Sequence, residues 1–190
     1  MLQIQNLNLN LNKQNILTDI NFEINDGEIL SIIGPSGCGK SSILKSIVGI
    51  IKEHDGTILL NDIDITNWPI NKRNITLAFQ DFSLFPHMTL EKNMLIASNS
   101  KTDIDYILTE LDIAYLKDKY PHQMSGGEQQ RASIARAIIY KPQVLLLDEP
   151  FSNVDAITTK IIRKKITNII KKFNITTIMV THDLEDVFEM

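Results

Sequence analysis

The chain has 190 residues, 43% of them hydrophobic and 22% charged, with a formal net charge of −4. This length suits one domain with a sizeable core, and the acidic balance excludes the strongly basic field on which nucleic-acid binding draws. A single cysteine, Cys38, excludes an internal disulfide and fits a reducing compartment. No apolar run reaches the ~18 residues of a membrane-spanning helix, and no basic residue precedes Lys13, so no secretory signal is expected.

Residues 2–11, LQIQNLNLNL, alternate apolar and polar, as do 20–24, INFEI, and both predict half-buried strands of an antiparallel piece. A DGE turn at 26–28 leads into ILSII at 29–33, a short apolar run of the buried parallel-strand type. A helix is predicted from Lys40 to about Ile50, with Ile43, Leu44, Ile47 and Val48 on one face. GTILL followed by ND reads as strand and turn, and NITLAF at 74–79 as a further strand. From Asp81 to about Pro121 short helical patterns such as DIDYILTELDI replace β-branched runs, and this predicts an inserted helical piece that extends to about residue 140 with a helix over 126–140. VLLL at 144–147 is a fully apolar strand. The helix expected over 156–172 carries Ile157, Ile161, Ile166, Ile169 and Ile170 on its apolar stripe, with lysines and Arg163 opposite. ITTIMV at 175–180 is the last strand. Strands alternating with helices predict an α/β fold with a mostly parallel sheet, and with no linker or repeat one domain is expected over 1–190.

Between strand 29–33 and the first helix lies GPSGCGKSS: Gly34, Pro35, Ser36, Gly37, Cys38, Gly39, Lys40, Ser41 and Ser42. It matches G-x-x-x-x-G-K-[ST], in which glycines let backbone N–H groups wrap a phosphate and the following helix presents its positive end. Lys40 adds a mobile charge for the β- and γ-phosphates, and the Ser41 hydroxyl can ligate Mg²⁺. Cys38 reads as a small loop residue. Where VLLL ends, Asp148 and Glu149 stand at the carboxyl end of a strand, the ligand-binding end of an open α/β sheet. Asp148 is placed to hold Mg²⁺ and Glu149 to polarise a water. Ser125 and Glu128, three residues apart before an apolar-periodic run, form a capping box.

MSGGEQQR, Met124 to Arg131, resembles the signature sequence of the ATP-binding cassette (ABC) ATPases. AFQDFSLFPHMTLEKN resembles that family's Q-loop segment and gives Gln80; SNVD resembles the D-loop and gives Asp155; VTHD resembles the switch-histidine loop and gives His182. The resemblance covers essentially the whole chain. It implies a P-loop NTPase core with a mostly parallel sheet, an N-terminal antiparallel β piece and a short inserted helical subdomain at about 81–140. It also implies ATP and Mg²⁺ as ligands, with the metal near Ser41, Gln80 and Asp148, and Lys40, Gln80, Glu149 and His182 as the hydrolytic set. A second copy, packed head to tail, would present Ser125, Gly126 and Gly127 to the nucleotide, with Asp155 between the two sites.

PINKRNITLAFQDFSLFPHMTL is similar to the importer cassettes for ferric iron, polyamines and thiamine. That implies permease subunits docking near Leu84, Phe85, Pro86 and His87, and a peripheral position on the cytoplasmic face of the inner membrane. No nucleic-acid partner is expected. Two other readings stand beside the importer: a soluble ABC ATPase acting on nucleic acid or the ribosome, and a non-hydrolysing assembly subunit that only binds nucleotide. The chain departs from the family in four places: Met124 and Glu128 stand where the signature commonly has Leu and Gln, the helical insertion is short, and two further departures concern the adenine site and the C-terminal end. No aromatic precedes Phe22, although the family usually stacks one on adenine near Leu11, and only eight residues follow His182.

Overall fold

The computed structural model describes residues 1–79, 81–98, 100–152 and 156–189. The alternating N-terminal stretch forms an antiparallel sheet. Its first strand, β1 (Leu2–Leu11), pairs with β2 (Gln14–Ile24) through a tight turn at Asn12 and Lys13, which both take positive φ, as a two-residue hairpin demands. β2 therefore begins well before the INFEI segment, because pairing with β1 extends it beyond the reach of its own alternation. The parallel sheet starts with β3 (Ile29–Ile33). β4 (His54–Leu60) covers the other side of β1 and turns through Asn61 and Asp62 into a short β5 (Ile63–Asp64), so the antiparallel order is β2-β1-β4-β5.

With β6 (Ile75–Ala78), β7 (Val144–Asp148) and β8 (Thr176–Thr181), β3 makes a second, all-parallel sheet in the order β3-β8-β7-β6. Helix α1 (Lys40–Val48) follows β3; α2 (Leu90–Ala97), α3 (Lys101–Glu110) and α4 (Gly126–Ile139) lie between β6 and β7. α5 (Ala156–Lys172) joins β7 to β8, and α6 (Leu184–Glu189) follows β8. The fold is thus α/β, with an N-terminal antiparallel sheet and an inserted helical piece built around α2 and α3. Among the described residues no helix is long and apolar enough to cross a membrane.

A strand that is apolar throughout serves two cores at once, because successive side chains point to opposite faces. Val144, Leu146, Ile178 and Val180 face α1 and the antiparallel sheet, packing with Leu2, Ile4, Leu7 and Leu9 of β1 and with Ile43, Leu44 and Ile47 of α1. Leu145, Leu147 and Met179 face the other way, onto Ile134, Ile138, Ile166 and Ile170 of α4 and α5. The α1 stripe read from the sequence is buried as expected, but the helix stops at Val48, where Gly49 takes φ 89 and turns the chain.

On α5 the expected stripe holds at Ile166, Ile169 and Ile170, which are buried, but not one turn earlier. Ile161 is 56% exposed and Ile162 buried, while Arg163, expected among the lysines, is 2% exposed and paired with Asp186 of α6. α6, which no pattern announced, covers that side of α5 and turns a solvent position into an interior one. The side chain of Ile157 lies outside those described.

Arg73, just before β6, is 1% exposed. Its guanidinium donates to the carbonyls of Ser46 (3.1 Å) and Ile47 (2.8 Å) in α1 and to those of Thr66 (2.6 Å) and Trp68 (3.0 Å). A cation at a helix C-terminus satisfies orphan carbonyls and complements the dipole, and here it also ties α1 to the chain leading into β6. Arg73→Met would strand those carbonyls in the interior. It is expected to lower the unfolding free energy by about 3 kcal/mol, measured by urea denaturation of the isolated chain.

Candidate active site

β3 ends at Ile33 and the chain enters the glycine loop. Pro35, Ser36, Gly37 and Cys38 are exposed, Gly34 and Gly39 half-buried. Gly39 is the N-cap of α1 at φ 97, and an added Cβ there would come within 3.0 Å of the Ile16 carbonyl oxygen. Glycine is therefore required by both backbone angle and space. With no side-chain cap and no acidic residue in its first turn, α1 opens on bare backbone donors. Lys40, expected from sequence as the charge for the phosphates, rests here on the loop itself. It is 6% exposed, and its ammonium donates back to the carbonyls of Gly34 (2.8 Å) and Pro35 (2.9 Å). Among the described residues it pairs with no carboxylate.

The register of the parallel sheet brings the acidic strand end to this loop. Asp148 aligns with Val180 and Ile33 with Thr181, so β3, β7 and β8 finish level. The Ser41 hydroxyl donates to Asp148 Oδ1 at 2.8 Å. Burial pushes the Asp148 carboxyl above its ordinary range, against the lowering effect of the Ser41 hydrogen bond. Glu149, the next residue, has φ 46, a left-handed conformation that costs a non-glycine residue about 1–2 kcal/mol. Its N–H donates to Val180 O (3.0 Å), and its carbonyl accepts from Ser152 N (3.3 Å) and Gln130 Nε2 (3.1 Å). The turn aims the carboxylate at the end of β8, where His182 Nδ1 lies 3.4 Å from Glu149 Oε2.

His182 is 54% exposed, and the loop carrying it is fixed from beneath. The Thr181 hydroxyl donates to Asp186 and accepts from Asp183 N–H (3.0 Å), while Arg163 pairs with the other Asp186 oxygen. Glu149, Thr181, His182, Arg163 and Asp186 border a cavity of about 230 Å³.

The structure thus brings together Lys40, Ser41, Asp148, Glu149 and His182. Gln80 and Asp155 lie outside the described residues. Ser125 caps α4: its hydroxyl accepts from Glu128 N–H, and Glu128 in turn accepts from Ser125 N–H at 2.7 Å. The Tyr115 hydroxyl donates to the other Glu128 oxygen and holds that carboxyl below its usual range. Ser125 and Gly126 are exposed and Gly127 half-buried. Sequence reading missed Gln130 and Thr181; the available signal for Gln130 was a polar residue on the apolar spacing of Ile134 and Ala137.

Leu84 packs on the helical core while Phe85, Pro86 and His87 are exposed. Phe85, Ile50, Ile70, Ile96 and Tyr140 line an apolar groove of about 510 Å³ between the parallel sheet and the helical piece. Arg136 lies 5.2 Å over the Phe85 ring and donates to the Ser83 carbonyl.

These residues fit a magnesium nucleotide. A buried ammonium without a carboxylate and an uncapped helix start call for an anion, and Ser41 with Asp148 offers the hard oxygen ligands that Mg²⁺ takes beside phosphate oxygens. Among the described residues no group of three His, Cys, Asp or Glu side chains gathers to hold a metal by itself.

Fold and site define a P-loop nucleotide-binding protein. A family model described as ABC transporter matches residues 17–152, and the chain belongs to that family. It is 40% identical over 194 residues to the Fe(3+) ions import ATP-binding protein FbpC of Escherichia coli O157:H7, covering 98% of this chain and 56% of that protein. It is 36% identical over 201 residues to the sulfate/thiosulfate import ATP-binding protein CysA of Pectobacterium atrosepticum, covering 100% of this chain and 61% of that one. The chain therefore spans little more than half the length of these relatives. A dimeric post-hydrolysis structure of the ATP-binding cassette MJ0796 bound to ADP and Pi superposes with a TM-score of 0.85 at 26% identity, over 98% of this chain and 90% of that one.

The raised Asp148 pKa has a sign for stability. An acid whose folded pKa lies above its unfolded value opposes folding at higher pH, and that opposition is relieved as pH falls through the folded pKa. Asp148→Asn is expected to raise the melting temperature of the nucleotide-free chain at pH 7 while weakening Mg²⁺-dependent nucleotide binding, checked by thermal denaturation with and without Mg-ATP.

Proposed function

We propose that the chain is the ATP-hydrolysing motor of a solute importer, with residues 1–190 acting as one cassette and two copies closing head to tail around two nucleotides. One observation carries the reading: the buried Lys40, the Ser41–Asp148 pair and the Glu149–His182 pair gather at the uncapped start of α1. The loop N–H groups bind phosphate oxygens, and Lys40 exchanges its two carbonyl partners for the terminal phosphates. Ser41 and Asp148 would hold Mg²⁺, which when bound would neutralise phosphate charge. Glu149 orients the attacking water and accepts its proton. His182, with Nδ1 toward Glu149, turns its other ring nitrogen to the terminal phosphate. Gln80 acts at the metal and water, and Asp155 acts between the two sites.

Ser125, Gly126 and Gly127 serve the other copy's nucleotide. The exposure of Ser125 and Gly126 supports this, because an N-terminal turn at the surface offers its N–H groups to an approaching anion. Closure around ATP and opening after hydrolysis turn phosphate chemistry into motion. The named functions of FbpC and CysA support import, with the solute selected by the other subunits; ferric iron, polyamines and thiamine belong to the same branch.

The apolar groove takes a helix of the permease, with Phe85 as anchor and Leu84, Pro86 and His87 around it. This would hold the subunit at the cytoplasmic face of the inner membrane. Nucleic acid has no part in the cycle.

Glu149→Gln is expected to cut ATP hydrolysis about 100-fold or more and to accumulate an ATP-dependent dimer on size-exclusion chromatography. Turnover at the wild-type rate would remove Glu149 from the role given to it. Phe85→Ala is expected to weaken permease association by about 2 kcal/mol with nucleotide affinity unchanged, read by co-purification from membranes. Undiminished co-purification and transport would rule out this docking surface.

A further inference from the structure

Gln130 lies in the second turn of α4, and its side chain is 3% exposed. The position belongs to the helix's buried face, where an apolar side chain would pack without the desolvation that an amide incurs. Its Nε2 donates at 3.1 Å to the carbonyl of Glu149, the residue whose φ of 46 aims the carboxylate at His182. Among the described residues, further anchors of that peptide come from its own turn and from β8: Ser152 N–H (3.3 Å) and Ser152 Oγ (3.1 Å) donate to the same carbonyl, and Glu149 N–H donates to Val180 O (3.0 Å). The anchor from Gln130 comes from the helix whose N-cap is Ser125.

We infer that Gln130 is a positioning residue that couples the two nucleotide sites. It ties the helix that meets the partner copy's ATP to the carboxylate that acts on this copy's own ATP. The inference rests on the two-copy reading above. From Ser125 to Gln130 the backbone is continuous helix after the cap, a rigid span of roughly 7 Å at the helical rise. A shift of the α4 N-terminus as the copies close is therefore delivered to the Glu149 carbonyl. Because Glu149 is held in a strained turn, a small displacement there rotates its carboxylate relative to His182 and to the attacking water. Each site then becomes competent when its own α4 has engaged the neighbour's nucleotide.

The test compares wild type, Gln130→Met and Gln130→Glu in the full chain. Met keeps the shape and removes the donor; Glu keeps the shape and replaces the donor with an acceptor. The readouts are binding of a fluorescent ATP analogue, hydrolysis against ATP concentration, and ATP-dependent dimerisation. Both variants are expected to bind the analogue within about twofold of wild type and to dimerise with ATP, while kcat falls about tenfold or more at nearly constant KM and the Hill coefficient drops toward one. Wild-type kcat and Hill coefficient in either variant would overturn the inference. So would a fall in kcat matched by an equal loss of analogue affinity, or unfolding of both variants, since Gln130 would then only support the fold. If wild type itself neither hydrolyses ATP nor dimerises with it, the motor reading fails first and takes this inference with it.

Discussion

The hydrogen bond from the Ser41 hydroxyl to Asp148 joins the first turn of α1 to the end of β7 across 107 residues of sequence. It can form because the parallel ladders run β3-β8-β7 with Ile33 beside Thr181 and Asp148 beside Val180. A slip of one residue in either ladder would exchange the faces of a whole strand. Leu146 and Val180 would leave the core under α1, and Asp148 would leave Ser41. The same alignment that buries the two apolar cores thus sets the polar site, and the site needs no separate scaffold.

Around that alignment the chain concentrates features that oppose stability. Asp148 is buried with its pKa raised, Glu149 is held in a left-handed turn, Lys40 is buried on two loop carbonyls, and α1 opens without a side-chain cap. Lys40 and the open helix start present donors suited to an anion, and strain of the kind held at Glu149 persists where the surrounding structure over-determines it. Here the surroundings are the fully buried strands β7 and β8, the Thr181–Asp186–Arg163 network, and the Arg73 contacts that fix the far end of α1.

The two glycine-bearing helix starts show how one backbone device takes different settings. α1 has no cap and no acidic residue in its first turn, whereas α4 is closed by Ser125 and by Glu128, itself held by Tyr115. The first lies half-buried at the sheet end, beside Lys40, Ser41 and Asp148. The second stands at the surface, already rigid and with its own donors partly satisfied, which suits a contact made only when another surface arrives.

Much of this was legible in the sequence. The apolar runs at 29–33 and 144–147, the α1 stripe, the capping box and the spacing of the glycine-lysine and aspartate-glutamate motifs are local patterns, and local sterics and periodicity are enough to set them. Tertiary structure decided the rest. Arg163 reads as a solvent cation until α6 covers it and supplies Asp186; that Lys40 rests on the loop's own carbonyls is seen only once the loop has folded. Gln130 reads as one more polar residue of a capped helix until Glu149 stands within 3.1 Å. Sequence by itself determined most of the elements, though not α6 or the full length of β2, and which chemical groups the chain carries to its strand ends. Which of those groups are buried, paired or strained depended on neighbours distant along the chain, because burial and pairing are properties of packing that no local pattern encodes.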